Sequence, residues 1–163
     1  ARFVWAVDVG TNQLDPELIN NSRVCSLEKT DIRTLDISAL GTRVDVITAD
    51  LSFISLTQVA QSLVKFLKPD GFMVLLIKPQ FEAGKENIGK NGVVKDKKVH
   101  EVVIENVAKC FAQHNIYLNS ITFAPLKGKG YNIEYLALFS NSIKGLPNVK
   151  TIVDSAFENN RLV

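Results

Sequence analysis

The stretch "FMVLLIKPQFEAG", Phe72–Gly84, joins an apolar run to a lysine and then to a polar loop. The apolar residues at 72–77 have the length and composition of a buried strand. About twenty residues rich in Gly, Lys, Asn and Glu follow before the next helical pattern begins. Irregular connections longer than about 12 residues are uncommon in compact domains, and they usually carry function or are disordered. We therefore expect function in the loop that follows Lys78.

Strands and helices alternate on both sides of this stretch. Apolar runs predict strands at 3–9, 23–28, 44–49, 72–77, 116–124 and 133–140. Helical spacing of apolar residues predicts helices at 56–67 and 97–114, with Ser55 and Asp96 as N-caps and a further short helix starting at Asp15-Pro16. The tetrapeptide "KPDG", 68–71, is expected to break the first long helix before the next strand. This alternation predicts an α/β fold with a mostly parallel sheet and helices on both faces.

Length and composition suit a single globular unit. The chain has 163 residues, of which 46% are hydrophobic, enough to build one core. We expect one domain at 1–140 and a polar tail at 141–163 that includes a short helix near 153–158. The formal net charge is only +2, but lysines outnumber acids between Lys78 and Lys98, so an anionic partner would meet that region first.

Other features of the sequence restrict its location and its chemistry. The longest apolar run is far shorter than the roughly twenty residues that cross a bilayer, and no signal peptide opens the chain. Membrane insertion and secretion are therefore disfavoured. Cys25 and Cys110 have no metal-ligand spacing, so we expect reduced thiols, no metal site and a cytoplasmic location.

Ionisable residues stand at the ends of several predicted strands. Ligands of open parallel sheets bind at the carboxyl ends of the strands, where Asp8, Asp31, Asp50 and Lys78 lie. Glu134 begins the last strand and reaches the same edge only if that strand is antiparallel. Each residue also has a plain structural explanation, because the aspartates could cap turns, Lys78 could be a surface lysine and Glu134 could belong to an ion pair.

Three segments resemble the TlyA family, the hemolysin A-like ribosomal RNA methyltransferases whose catalytic domain is shared with FtsJ-type 2′-O-methyltransferases. These segments are "DLSFIS" at 50–55, "KPQFEAG" at 78–84 with "GKNGVVKD" at 89–96, and "NIEYL" at 132–136. The resemblance covers roughly 4–140. It implies a Rossmann-like sheet that binds S-adenosylmethionine, with an antiparallel last strand and with its first strand before residue 1. The glycine-rich cofactor loop, the first catalytic lysine and a small RNA-binding domain would also precede residue 1, so the chain alone is expected to bind the cofactor weakly or not at all.

The resemblance also assigns residues. Asp50, Lys78 and Glu134 match three members of the family's catalytic Lys-Asp-Lys-Glu tetrad, and Asp50 also lies at the cofactor. Asp8 matches the acidic position that holds the cofactor ribose, and Asp31 matches the site beside the adenine. The implied reaction of the full-length protein is 2′-O-methylation of cytidine in 16S or 23S ribosomal RNA, or both, with ribosomal RNA or ribosomal subunits as partners.

A chemical role follows for the predicted site. A ribose 2′-hydroxyl is a very weak acid, so its proton must leave as the oxygen attacks the methyl group. Lys78 is the candidate that accepts or steers this proton, with Asp50 and Glu134 orienting the ammonium groups. The lysines of the loop and of the turn before the last strand could bind phosphates. These lysines are Lys85, Lys90, Lys95, Lys127 and Lys129.

Other functions remain open at this stage. Amino methylation of bases usually shows an Asn/Asp-Pro-Pro-aromatic stretch, whereas this chain has Asp50-Leu51-Ser52-Phe53 there. A nicotinamide dehydrogenase would need a GxGxxG loop after its first strand, which this sequence lacks. An RNA-binding protein or a hemolysin-type cytolysin without methyltransferase activity is the remaining alternative. The sequence does not indicate an oligomeric state.

Overall fold

The computed structural model describes residues 1–125 and 130–160, which divide into two compact units, 1–43 and 44–163. The first unit holds two short parallel strands, β1 (Val4–Val7) and β2 (Val24–Leu27). Between them lies the one-turn helix α1 (Pro16–Ile19), whose N-cap Asp15 accepts the N–H of Glu17 at 2.8 Å. The predicted strands and the short helix of this region are confirmed.

The second unit contains a four-stranded sheet in the order β3-β4-β6-β5. Its strands are β3 (Val44–Ala49), β4 (Leu67–Ile77), β5 (Tyr117–Phe123) and β6 (Tyr135–Ser140). β3 and β4 are parallel, whereas β6 is antiparallel to both of its neighbours. The expected antiparallel last strand is therefore confirmed. Since Ile77 pairs with Tyr135, the end of β4 and the start of β6 meet at one edge of the sheet.

β4 begins five residues earlier than the sequence indicated, because Leu67 already pairs with Val44, and "KPDG" lies between this pair and the next one, Val46 with Phe72. Its pairing with β3 shifts register between Val44 and Val46, so the strand absorbs an irregularity there. Gly71 lies at this point, where a Cβ atom would come within 2.8 Å of the carbonyl oxygen of Asp45. Glycine is thus required by the close approach of the two backbones, not by a chain reversal.

Three longer helices pack beside the sheet. They are α2 (Leu56–Phe66), α4 (Lys97–Ala112) and α5 (Val149–Asn160), and the one-turn helix α3 (Pro79–Glu82) follows β4. Ser55 and Asp96 cap α2 and α4 as predicted, accepting the N–H groups of Thr57 and Lys98. α5 is twice as long as the short helix expected at 153–158. It buries Val153 and Ala156, because it packs against α4 and β5 instead of lying in a polar tail.

The helices of the second unit cover only one face of its sheet. Met73, Leu75 and Ile77 of β4 are completely buried on that face. Phe72 and Leu136, on the opposite face, remain 41% and 38% exposed. Within the second unit the expectation of helices on both faces is therefore not met, since α2 packs against α4 and α4 against α5 on a single side of the sheet. Within 1–125 and 130–160, no helix is both long and apolar enough to cross a membrane.

Candidate active site

Lys78 and Asp50 form the centre of the candidate site. Lys78 Nζ lies 2.5 Å from Asp50 Oδ1 and donates to Ser52 Oγ at 3.1 Å. The lysine side chain is 12% exposed, whereas the aspartate side chain is 70% exposed. The lysine side chain is therefore largely shielded from solvent, whereas the carboxylate that it contacts is open to an incoming ligand.

The parallel pairing of β3 and β4 creates this contact. Ala49 pairs with Leu75, so Asp50 and Lys78 leave the sheet at the same edge. Lys78 is also the N-cap of α3, and Pro79 occupies the first helical position, where its missing N–H has no cost. The chain therefore turns directly after the lysine, which fixes the direction of its side chain.

Glu134 enters the same edge from β6, as its predicted role required. Its side chain is half-buried, and within residues 1–125 and 130–160 it forms no hydrogen bond or ion pair with Lys78. Instead, Glu134 Oε1 accepts the side-chain amide of Gln80 at 2.7 Å. A carboxylate only accepts, so Gln80 must turn its NH₂ group to Glu134, which leaves Gln80 Oε1 buried without a partner among the described residues. Gln80 thus connects Glu134 to the segment that carries Lys78.

Glu82 connects the same segment to helix α2. Its Oε2 accepts the Ser55 hydroxyl at 2.5 Å, and its Oε1 accepts the backbone N–H of Leu56 at 2.7 Å. Burial raises the pKa of the Glu82 carboxyl above its ordinary value, although these two hydrogen bonds oppose the rise. The buried carboxyl is therefore fully engaged within the protein.

The sequence of the chain matches the FtsJ-like methyltransferase family over residues 1–141. The chain belongs to this family. It is 42% identical over 135 residues to the 16S/23S rRNA (cytidine-2′-O)-methyltransferase TlyA of Mycobacterium tuberculosis, covering 83% of this chain and 50% of that protein. It is 37% identical over 140 residues to hemolysin A of Brachyspira hyodysenteriae, covering 85% of this chain and 58% of that protein.

A solved structure resembles the whole chain. A candidate hemolysin from Streptococcus thermophilus superposes with a TM-score of 0.91 at 36% sequence identity, covering 100% of this chain and 62% of that one. The resemblance to a TlyA-type, FtsJ-like methyltransferase inferred from the sequence is therefore confirmed. The chain spans about half the length of the curated relatives it matches.

The first unit of this FtsJ-like chain holds the two aspartates expected at the cofactor. Asp8 Oδ1 accepts the N–H of Gly10 at 2.7 Å, and the other oxygen, Oδ2, makes no hydrogen bond within the described ranges. Thr30 N–H donates to the Asp8 carbonyl at 3.0 Å, so Asp31 follows directly on the neighbouring strand end. Asp8 therefore keeps an acceptor that fits a ribose hydroxyl.

Asp31 fits its expected role less well. Arg33 forms a bidentate contact with its carboxylate, with Nη2 lying 2.6 Å from Oδ2. The hydrogen bond from the Arg33 side chain is the main reason that the pKa of Asp31 falls to about 2. An adenine amino group would have to share a carboxylate that is already paired. The assignments of Asp8 and Asp31 to the cofactor remain predictions.

Hydrogen bonds with Asn132 hold the end of the lysine-rich loop of the FtsJ-like domain. Lys85, Lys90 and Lys95 are all exposed, as phosphate-binding residues must be. Asn132 holds the loop to the start of β6, because its Oδ1 accepts the N–H of Val94 at 3.0 Å and its Nδ2 donates to a loop carbonyl at 2.9 Å. The two remaining predicted RNA-binding residues, Lys127 and Lys129, lie outside the described residues.

A completely buried histidine of α4, His100, binds the end of this loop. His100 Nε2 lies 3.0 Å from the carbonyl oxygen of Val94, and Nδ1 lies 2.9 Å from the Tyr135 hydroxyl. A carbonyl only accepts, so Nε2 carries the proton and Nδ1 accepts from the tyrosine. Burial lowers the pKa of His100, while the hydrogen bond to Val94 and the charge of Asp96 oppose that change.

This environment predicts a loss of stability in mild acid. Because the pKa of His100 is lower in the folded protein, the unfolded chain binds the proton more readily below its ordinary value near 6.5. The stabilisation is present above that pH and is lost as the pH falls through it, by up to about 1.4 kcal/mol at one pH unit below. Urea unfolding at pH 7.5 and 5.5 should therefore show a larger acid loss for the wild type than for His100→Gln.

The matched control removes the other histidine by His114→Gln. Glutamine at 100 can donate to the Val94 carbonyl and does not titrate, so its variant isolates the protonation of the ring. An equal acid loss in the wild type and in His100→Gln would contradict the prediction.

Sequence reasoning missed the exposed aromatic residue of the site. Phe53 is 92% exposed, and its φ of 64° is a left-handed conformation that is uncommon for a non-glycine residue. Its ring lies 5.1 Å from that of Phe81, which also lies 5.8 Å from Lys78 Nζ. Backbone strain that exposes a large aromatic ring is a signal of function.

Proposed function

We propose that this protein catalyses 2′-O-methylation of cytidine in ribosomal RNA, using S-adenosylmethionine as the methyl donor. The observation that carries the proposal is the ion pair of Lys78 with Asp50, 2.5 Å long, at the carboxyl edge of the sheet. Ligands of open α/β sheets bind at this edge. Family membership supports methyl transfer, and the arrangement of the lysine supports an oxygen nucleophile.

The chemistry required of the protein is the removal of a proton and the alignment of the nucleophile. S-adenosylmethionine supplies a methyl group on a positively charged sulfur, and the ribose hydroxyl must lose its proton as it attacks. Lys78 is placed to accept that proton as a neutral amine, or to steer it as an ammonium group, because its side chain is largely shielded from solvent and its Nζ is held by Asp50 and Ser52. Holding the hydroxyl in line supplies much of the rate, since well-oriented reactants no longer need to find each other.

Asp50 and Glu134 have different tasks in this proposal. Asp50 contacts the lysine directly and balances its charge. Glu134 acts one step further away, because its contact is to Gln80. We infer from its position that Glu134 faces the other ammonium group of the family's tetrad pattern.

The surroundings of the ion pair suit a polyanionic, single-stranded substrate. The exposed lysines at 85, 90 and 95 supply positive charge beside the site, which positions phosphates without reading sequence. The neighbouring rings of Phe53 and Phe81 supply an aromatic surface on which an unstacked base can rest. Cytidine and ribosomal RNA enter the proposal because the TlyA relative of Mycobacterium tuberculosis is named as a 16S/23S rRNA (cytidine-2′-O)-methyltransferase.

The test uses the full-length protein, labelled S-adenosylmethionine and separate small and large ribosomal subunits. The expected result is label in RNA at a linkage that resists alkaline cleavage, because a 2′-O-methyl group blocks attack on the neighbouring phosphate. Mapping of the resistant linkage then identifies the nucleotide and the subunit.

Two outcomes would contradict the proposal. Label at an alkali-sensitive position would show that a base is methylated instead of a ribose. Absence of label on both subunits, with the cofactor bound, would remove ribosomal RNA as the substrate.

A further inference from the structure

Every second side chain of the segment Lys78–Glu82 contacts a different part of the second unit. Lys78 binds Asp50 at the end of β3, Gln80 binds Glu134 at the start of β6, and Glu82 binds the first residues of α2. The segment is therefore fixed at three points within a single helical turn. Lys78 and Glu134 already have roles in the proposed reaction, and Glu82 has none.

The contacts of Glu82 are specific and shielded. Its two oxygens accept from two different donors, the Ser55 hydroxyl and the Leu56 N–H. Leu56 is the first residue of an eleven-residue helix, so its N–H is one of the donors that the helix itself leaves unpaired. A carboxylate at this point satisfies that donor and is also favoured by the helix dipole.

The ion pair and the contacts of Glu82 link the same two segments of the chain. The segment from Asp50 to Leu56 is joined to the segment from Lys78 to Glu82 at both ends. At one end Lys78 binds Asp50 and Ser52, and at the other end Glu82 binds Ser55 and Leu56. Removal of the Glu82 end leaves the ion pair as the main polar link between the two segments.

We propose that Glu82 is a positioning residue that holds Lys78 in register with Asp50 by fastening its segment to the start of α2. This inference rests on the proposed function, because register matters only if Lys78 takes part in the reaction. A displacement of about 1 Å at a reacting group can reduce turnover about 100-fold without a change in the groups present. Glu82 does not contact the substrate in this role.

The kinetic test compares Glu82→Ala and Glu82→Gln in the full-length protein. We expect Glu82→Ala to lower kcat by about 10- to 100-fold, while KM for RNA stays near the wild-type value. We expect Glu82→Gln to retain most of the wild-type kcat, because its amide oxygen can accept from Leu56 and its NH₂ group can donate to Ser55. Glu86→Gln, an exposed acid in the same loop, is the matched control and should match the wild type.

A double-variant comparison separates the contact from the residue. Ser55→Ala removes one partner of Glu82 from the opposite side. If the two act through the same contact, Ser55→Ala combined with Glu82→Ala should lose little more kcat than Glu82→Ala alone. Fully additive losses would overturn the proposed contact.

Hydrogen exchange makes the test independent of RNA and of the cofactor. Glu82→Ala should raise the exchange of amides at 52–56 and 78–82 and leave that of α4 unchanged, which also shows that the variant is folded. This pattern in a protein that methylates no RNA would refute the proposed function and retain the contact. Unchanged exchange, an unchanged kcat in Glu82→Ala, or an equal loss in Glu82→Gln would each overturn the inference.

Discussion

Lys78→Ala in the full-length protein should lower kcat for methyl transfer to RNA by about 10²- to 10⁴-fold, while the affinity for RNA changes little. The reason is that Lys78 Nζ is already placed by Asp50 and Ser52, so the substitution takes away the group that would accept the proton as a neutral amine or steer it as an ammonium group. Single-turnover rates, with RNA binding measured separately, distinguish the chemical step from binding.

Lys78→Arg sharpens this prediction. Arginine retains a positive charge beside Asp50, but its planar group is larger and does not lose its proton in proteins. If Lys78 handles the proton, Lys78→Arg should lose nearly as much turnover as Lys78→Ala. Nearly normal turnover in Lys78→Arg would mean that charge alone is needed, and nearly normal turnover in Lys78→Ala would remove the residue from the mechanism.

Lys85→Ala is the control for the lysine series. Lys85 is exposed in the same loop and has no ion pair among those that the described residues form. It should weaken RNA binding and raise KM, with kcat retained, because a phosphate contact positions the substrate before the reaction. A large loss of kcat in Lys85→Ala would show that the loop, and not Lys78 itself, controls the chemical step.

Sequence patterns were sufficient for most elements of the fold. The apolar runs and the helical spacing predicted β3, α2, α4 and β6 to within a few residues, because each has a clear apolar pattern and the two helices also have a capping residue at their start. The antiparallel last strand followed from the family resemblance and from Glu134, whose charge needed a place at the ligand edge.

Three features were not predictable from local sequence. "KPDG" has the composition of a turn and follows the end of α2 as expected, yet the pairing of β4 with β3 already begins before it, at Leu67, and resumes after it, at Phe72. The length of α5 depends on burial of Val153 and Ala156 against α4 and β5, which no short segment reveals. The exposed face of the four-stranded sheet results from the packing of α2, α4 and α5 on its other face, which a local sequence pattern does not indicate.

Sequence reasoning found the charges of the site but not the contacts between them. It placed Asp50, Lys78 and Glu134 at one edge, and the structure joins the first two directly. The third residue, Glu134, instead contacts the side-chain amide of Gln80, and no sequence pattern indicated a role for this glutamine. The alternation of polar residues at 78, 80 and 82 across a one-turn helix and its N-cap was the available signal, because residues four apart share one face of a turn and the residue between them faces away.

Phe139→Ala should lower the free energy of unfolding by about 3–5 kcal/mol, a large share of the roughly 5–15 kcal/mol of a typical domain. Phe139 is completely buried in β6, where its ring lies 4.9 Å from that of Phe111 on α4. β6 is paired on both sides, so a cavity here disturbs the strand whose start carries Glu134. Urea unfolding at pH 7.5 measures the loss.

Phe72→Ala is the matched control, because Phe72 lies on the neighbouring strand β4 and is 41% exposed on the open face of the sheet. The same change of side chain should cost much less there, since the cavity term is absent at a partly solvated site. Equal losses in the two variants would mean that the open face is buried in the protein under test. Because Glu134 directly precedes β6, Phe139→Ala should also lower turnover. Relative to Phe139→Ala, Phe139→Leu should recover both stability and turnover. Recovery of stability without turnover would mean that packing at Phe139 does not affect the site.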